Sequence, residues 1–195
     1  MTETDSPSSQ INAIDILIEG GEWDERHHGA IITETAQACA AYPGVLEDGP
    51  VDLSVLLTID AAIAALNTRW RGKPGATNVL SFPALGPALG PAPGPAPGSS
   101  LDREPAGGAP RLLGDLVFAW ETIVREAAEQ DKRMDDHFRH LVVHGVLHLC
   151  GFDHLDDAEA EDMEQAERTI LAGFGVADPY AEDGQARPGQ PSSGS

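Results

Sequence analysis

Three scarcities bound the reading of this chain. Aromatic residues make up 5% of its 195 residues, Lys and Arg number 12 against 32 Asp and Glu, and cysteine occurs twice. Two cysteines, Cys39 and Cys150, exclude a disulfide scaffold, and with no N-terminal apolar leader they point to a reducing, cytoplasmic setting. No apolar run approaches the 18 or so residues of a membrane-spanning helix, so no membrane partner is expected. Few aromatics beside 21 Gly and 15 Pro leave part of the chain without the means to build a core.

The formal charge of −20 argues against nucleic acid as a partner, because a polyanion is repelled. Its distribution weakens that objection. Arg69, Arg71, Lys73, Arg103, Arg111, Arg125, Lys132, Arg133 and Arg139, nine of the twelve basic residues, fall between 69 and 139. The acids crowd elsewhere, notably Asp156, Asp157, Glu159, Glu161, Asp162, Glu164 and Glu167, so a local basic groove is compatible with the total.

Residues 1–10, rich in Ser, Thr, Asp and Pro, read as a disordered lead-in, and 179–195 as a disordered tail. Between them, 11–178 is long enough for one domain. Ile14, Ile16 and Ile18 alternate in a strand that Gly20-Gly21 ends, and 30–41 reads as a short helix. A second strand covers 51–58. Asp60 is placed to cap the helix that follows through Trp70, whose Ile63, Leu66 and Trp70 form an apolar face. A third strand is expected over 77–82. Residues 84–110 repeat Ala, Leu, Gly and Pro with little else, which reads as a flexible insertion joining two strands.

A fourth strand resumes at 111–119, with Gly114 and Asp115 marking a bulge or a close backbone approach. Helices are expected at about 120–130, 134–150 and 157–172, the last stopped by Gly173. The second is apolar on several sides, as a buried central helix should be. Strands and helices mix without regular βαβ alternation, which gives an α+β class of about four strands and about five helices.

That central helix carries the chemistry. In HGVLHLCGFDH, His144 and His148 are one turn apart, about 40° around the axis and roughly 6 Å along it, so both imidazoles can reach one ion. Gly151 suits the left-handed residue that turns the chain back, which lets His154 approach from a third direction. Three neutral nitrogens and one open position is the layout of a catalytic zinc. Zinc peptidases with this spacing carry a glutamate after the first histidine as general base, and here that residue is Gly145, so a zinc metallopeptidase is the runner-up. Gly145 weakens a helix by about 1 kcal/mol against Ala, which implies a close neighbour. Cys150 points away from His148 and reads as a small apolar residue, His137 and His140 as supporting or packing groups. Asp115 and Asp153 are candidates for a general base or for orienting a ligand imidazole. Arg71 offers a planar donor fork matched to phosphate, and Lys73 a point charge.

Four separated blocks match one known family in order. HGVLHLCGFDH, Leu66-Asn67 through Trp70-Arg71-Gly72-Lys73, Thr77-Asn78-Val79-Leu80-Ser81-Phe82-Pro83 and Leu113-Gly114-Asp115 together resemble the YbeY family of bacterial endoribonucleases, over about 51–173. The resemblance implies a metal-dependent, single-strand-specific endoribonuclease of ribosomal RNA maturation, chiefly at the 3′ end of 16S rRNA, and of ribosome quality control. Its partners would be precursor ribosomal RNA and the small subunit or its proteins, with no DNA. It further implies a small mixed sheet surrounded by helices, one Zn2+ or other divalent transition metal on His144, His148 and His154, and a functional arginine at Arg71. The chain departs from the family in its long 84–110 insertion and its acidity. A third reading, a non-catalytic ribosome-assembly factor, would have a structural metal with a fourth protein ligand such as Cys150.

Overall fold

A computed structural model describes residues 11–46, 49–84, 110–152 and 156–181. Strand β1 (Ile11–Ile18) leads through helix α1 (Glu25–Ala40) to β2 (Val51–Thr58), α2 (Asp60–Arg71) and β3 (Val79–Pro83). Then come β4 (Arg111–Ala119), α3 (Trp120–Glu129), α4 (Met134–Leu149) and α5 (Asp157–Ala172). The four strands form one sheet in the order β1-β2-β4-β3, with β1, β2 and β4 parallel and β3 antiparallel to β4. It is the mixed sheet of an α+β fold.

Alternation along the strands sorts the layers. Val51, Leu53, Val55 and Leu57 of β2, with Leu116 and Phe118 of β4, join the core that includes α1 and α4. The intervening Val117 and Ala119 join Ile63 of α2 and Leu80 of β3 in a smaller cluster on the other face. Strand β4 is therefore covered on both faces, and α2 and α4 lie on opposite sides of it. Helix α4 contacts α1, α3, α5, β3 and β4, which makes it the central helix. Phe138, Val142, Val143, Val146 and Leu147 are fully buried along it.

Two glycines let α4 sit this close. A Cβ on Gly145 would lie 2.8 Å from Leu116 Cδ2, inside contact distance. One on Gly114 would collide with the Phe82 carbonyl and lie 2.8 Å from Leu149 Cδ2, and the φ of +153° there is itself costly for a side chain. The register shifts as Asp52 faces Leu112 and Leu53 faces Gly114, so Leu113 is the extra residue of a bulge beside the expected position.

Several boundaries differ from the sequence reading. Helix α1 starts at Glu25 rather than 30, because Asp24 accepts from His27 N at 2.7 Å and begins the helix ahead of the apolar face. Asp60 is the first residue of α2, not its cap. Its Oδ1 instead accepts from Thr122 N at 3.0 Å and Thr122 Oγ1 at 2.8 Å, tying α2 to α3. Strand β3 starts at Val79, since Asn78 Oδ1 takes the Val79 N–H at 2.7 Å in a local turn. Helix α5 ends at Gly173 in right-handed geometry, φ −61°, and the left-handed residue is Gly175 at +72°. Residues 1–10, 85–109 and 182–195, on which the lead-in, nearly all of the insertion and most of the tail fall, lie outside the described residues.

Candidate metal centre

The end of α4 aims two imidazoles at each other. His144 and His148 have ring centroids 4.5 Å apart at an interplanar angle of 89°, and their Nε2 atoms are 3.1 Å apart. What fixes them is the bonding of the opposite nitrogens. His148 Nδ1 lies 2.9 Å from the Phe152 carbonyl. That carbonyl is delivered by the turn after the helix, where Gly151 has φ +91° and Phe152 N donates to Leu147 O at 3.0 Å. His144 Nδ1 lies 2.9 Å from Glu167 Oε1.

A carbonyl and an ionised carboxylate only accept, so each Nδ1 carries a proton, and in the neutral ring that leaves Nε2 as the nitrogen that can bind a metal. Two imidazole nitrogens facing at 3.1 Å can share a proton, as an N–H···N hydrogen bond, or a metal ion. Two nitrogens bound to one tetrahedral zinc at about 2.0–2.1 Å stand roughly 3.3 Å from each other, so the pair fits a metal with a shift of a few tenths of an ångström. His154 and Asp153 lie outside the described residues.

Glu167 is the residue that sequence reasoning missed. It was grouped with the acids of α5, yet its side chain is fully buried, and Oε2 accepts from His140 Nε2 at 3.1 Å and from the Tyr180 hydroxyl. Burial would raise its pKa, but the bonds from His140 and His144 outweigh that and hold it at about 2. The signal was in the spacing. Met163, Ala166, Glu167, Ile170 and Leu171 mark the buried face of α5 at helical period, which puts Glu167 inside while its acidic neighbours face water. Tyr180 stands in a turn at 178–181, in the part of the chain that the sequence reading gave to the tail.

The other sequence candidates separate. His140 joins Glu167, whereas His137 faces α3 with Nε2 2.9 Å from Glu126 Oε2, and burial lowers its pKa. Burial pushes the Cys150 thiol up to about 12, which keeps it protonated in the metal-free protein. Asp115 is exposed on β4. Arg71 is the exposed last residue of α2, followed by Gly72 in the left-handed region at φ +66°. Although α2 and α4 are on opposite faces, their C-termini meet the same end of edge strand β3. Trp70 packs on Phe82 at 6.3 Å between centroids, and Leu149 Cδ2 lies 2.8 Å from where a Cβ on Gly114, the register partner of Pro83, would stand.

The expected basic groove is partly dispersed. Arg125 pairs with Asp60 at 3.6 Å, while Arg139 pairs with Glu34 at 3.5 Å and covers the Phe174 ring. At the end of α2, Arg69 lies 5.2 Å over Trp70, next to Arg71 and Lys73.

A second group among the described residues could hold a metal ion: His27, His28 and Asp135, with ligand atoms all within 4.8 Å of one another. Its members already serve the start of α1. His28 Nδ1 takes the Asp24 N–H at 2.8 Å, and His27 pairs with Asp135 at 3.0 Å on the exposed surface.

The family profile described as Endoribonuclease YbeY matches residues 16–175. The chain belongs to the YbeY endoribonuclease family. It is similar to the Endoribonuclease YbeY of Parvibaculum lavamentivorans, 44% identical over 177 residues that cover 91% of this chain and 88% of that one. The YbeY of Paramagnetospirillum magneticum is 51% identical over 140 residues, 70% of this chain and 76% of its own. The solution structure of TM1509 from Thermotoga maritima superposes with a TM-score of 0.47 at 21% identity, over 91% of this chain and 99% of that one. The YbeY family is metal-dependent. Among the described residues, no helix is long and apolar enough to cross a membrane.

Proposed function

We propose that this chain is a metal-dependent endoribonuclease that cuts single-stranded RNA, in maturation of the 16S rRNA 3′ end and in ribosome quality control, in the cytoplasm. The observation that carries this reading is the facing Nε2 pair of His144 and His148, each fixed through its other nitrogen, in a chain of the YbeY family. His144, His148 and His154 would hold one Zn2+ or another divalent transition metal. When bound, the ion supplies a Lewis acid for a phosphoryl oxygen and a water that ionises near neutral pH.

The chain's own groups do the rest. Arg71 presents two parallel N–H donors to the phosphate at the cut, and Lys73 steadies the backbone beside it. A single strand crossing the Phe82 end of β3 would meet the end of α2 on one side and the end of α4 on the other. With a net charge of −20, such contacts need help, and the small ribosomal subunit or one of its proteins is the partner that would bring the enzyme to its RNA.

Gly145 argues against a peptidase. A side chain at that position would meet Leu116 and Ser81 on the sheet, so position 145 supplies no carboxylate beside His144. The test is cleavage of a labelled single-stranded RNA by zinc-loaded protein beside His148→Ala and Arg71→Ala. The expected result is loss of metal and cleavage together in the first, and loss of cleavage with metal retained in the second. Undiminished cleavage in both would sink the proposal, and metal without cleavage in the wild type, on free RNA and on assembled subunits, would favour the assembly-factor reading.

A further inference from the structure

Glu167 makes a division of labour visible. Oε1 accepts from His144 Nδ1 at 2.9 Å, while Oε2 accepts from His140 Nε2 and the Tyr180 hydroxyl. A carboxylate fully removed from water is expensive, and a Leu or Met at 167 would simply continue the apolar face of α5. Tying α5 to α4 needs only the Oε2 side. The Oε1 side serves His144 alone.

The second partner of Oε2 arrives from beyond α5 and is itself secured. Asp178 accepts from Tyr180 N at 2.9 Å, and Arg168 reaches Asp178 at 3.5 Å while its guanidinium lies 5.1 Å from the Tyr180 ring centroid. Arg168 is anchored in turn to Glu164 at 2.7 Å.

We propose that Glu167 is a positioning residue of the metal centre, locking His144 with Nδ1 protonated and Nε2 available to the ion, and that the turn carrying Tyr180 is part of the lock. Metal affinity then depends on a segment outside the helices. This rests on the reading of His144 and His148 as metal ligands.

The test titrates Zn2+ into the full chain against a chromogenic chelator, for wild type, Glu167→Gln and Tyr180→Phe, with the thermal midpoint of each metal-free protein measured in parallel. Gln keeps the size of Glu but loses the charge and one acceptor oxygen, so it cannot accept from His144 and from the His140–Tyr180 side at once, and affinity falls about 10–100-fold. Tyr180→Phe keeps the ring under Arg168 and loses only the hydroxyl, giving a smaller loss in the same direction. Nitrogen NMR of the metal-free wild type reports His144 protonated on Nδ1. Wild-type affinity in folded Glu167→Gln overturns the proposal while leaving the metal site standing, whereas a wild type that binds no Zn2+ overturns both. Should Glu167→Gln fail to fold, the other two readouts decide: unchanged affinity in Tyr180→Phe, or His144 protonated on Nε2, overturns the lock.

Discussion

Along helix α4 the packing changes character. Its first turns are held by bulk: Phe138 is fully buried, with ring centroids 5.2 Å from Phe118, 5.1 Å from Trp23 and 5.7 Å from His28, and Trp120 stacks edgewise on Trp23 at 4.9 Å. Its last turns are held by missing side chains, at Gly145 against Leu116 and at Gly114 against Leu149. Histidines occur at both ends and do different work. His28 and His137, taken out of water, are made harder to charge, while His144 and His148 are given acceptors that fix their tautomers. Proximity of histidine to carboxylate is common to both ends; only at the second end do two imidazoles face each other through Nε2.

The largest effect that tests this contrast is on metal. His148→Ala is expected to lose bound Zn2+ and with it all cleavage of single-stranded RNA, whereas His28→Gln keeps one ion per chain, as metal analysis of the purified proteins will read. Zinc that followed His28 instead would transfer the site to the His27–His28–Asp135 group. Next in size, Phe138→Ala removes the ring on which the aromatic end is built and should cost about 3–5 kcal/mol in urea denaturation, with Zn2+ affinity of the folded fraction unchanged. Gly114→Ala attacks the other end. Its Cβ meets a backbone carbonyl that cannot swing aside, and a loss of about 1–3 kcal/mol is expected in the same assay.

The smallest effect is on pH. His28 and His137 have pKa values below 6.5 in the folded protein because burial disfavours their charge. The unfolded chain therefore takes up protons near pH 6.5 that the folded chain refuses. Their contribution is complete above that pH and is lost as pH falls toward the lower folded values, by up to about 1.4 kcal/mol per unit for each histidine. Thermal midpoints of metal-free protein from pH 7 to pH 5 should fall, and less steeply in His28→Gln. An identical slope in that variant would show that His28 titrates alike in both states.

Period carried most of what could be read in advance. The i,i+4 pair 144 and 148, the alternation of β1 and the apolar sides of α4 survive into the structure because local geometry imposes them, whereas of the expected α2 face only Ile63 is buried and Trp70 is exposed. Gly145 and Gly114 were legible as close approaches, although what approaches, Leu116 in one case and the Phe82 carbonyl in the other, depends on strand order. Asp60 looked like a cap because a cap is a local pattern, and it failed as one because Thr122, sixty-two residues away, offered a better pair of donors. Glu167 and Tyr180 were hidden for the same reason: a carboxylate and a phenol near the chain end acquire meaning only from the histidines folded against them.

Because β3 and β4 are antiparallel neighbours, the rungs from Val79–Phe118 to Pro83–Gly114 form whatever length of chain joins them. The entropy of closing such a connection grows only with the logarithm of its length, roughly 0.6 kcal/mol for each doubling. Chain can therefore be added to or trimmed from the connection between Ala84 and Pro110 with little change in stability. The length of that connection is only weakly constrained by the stability of the β3–β4 pair.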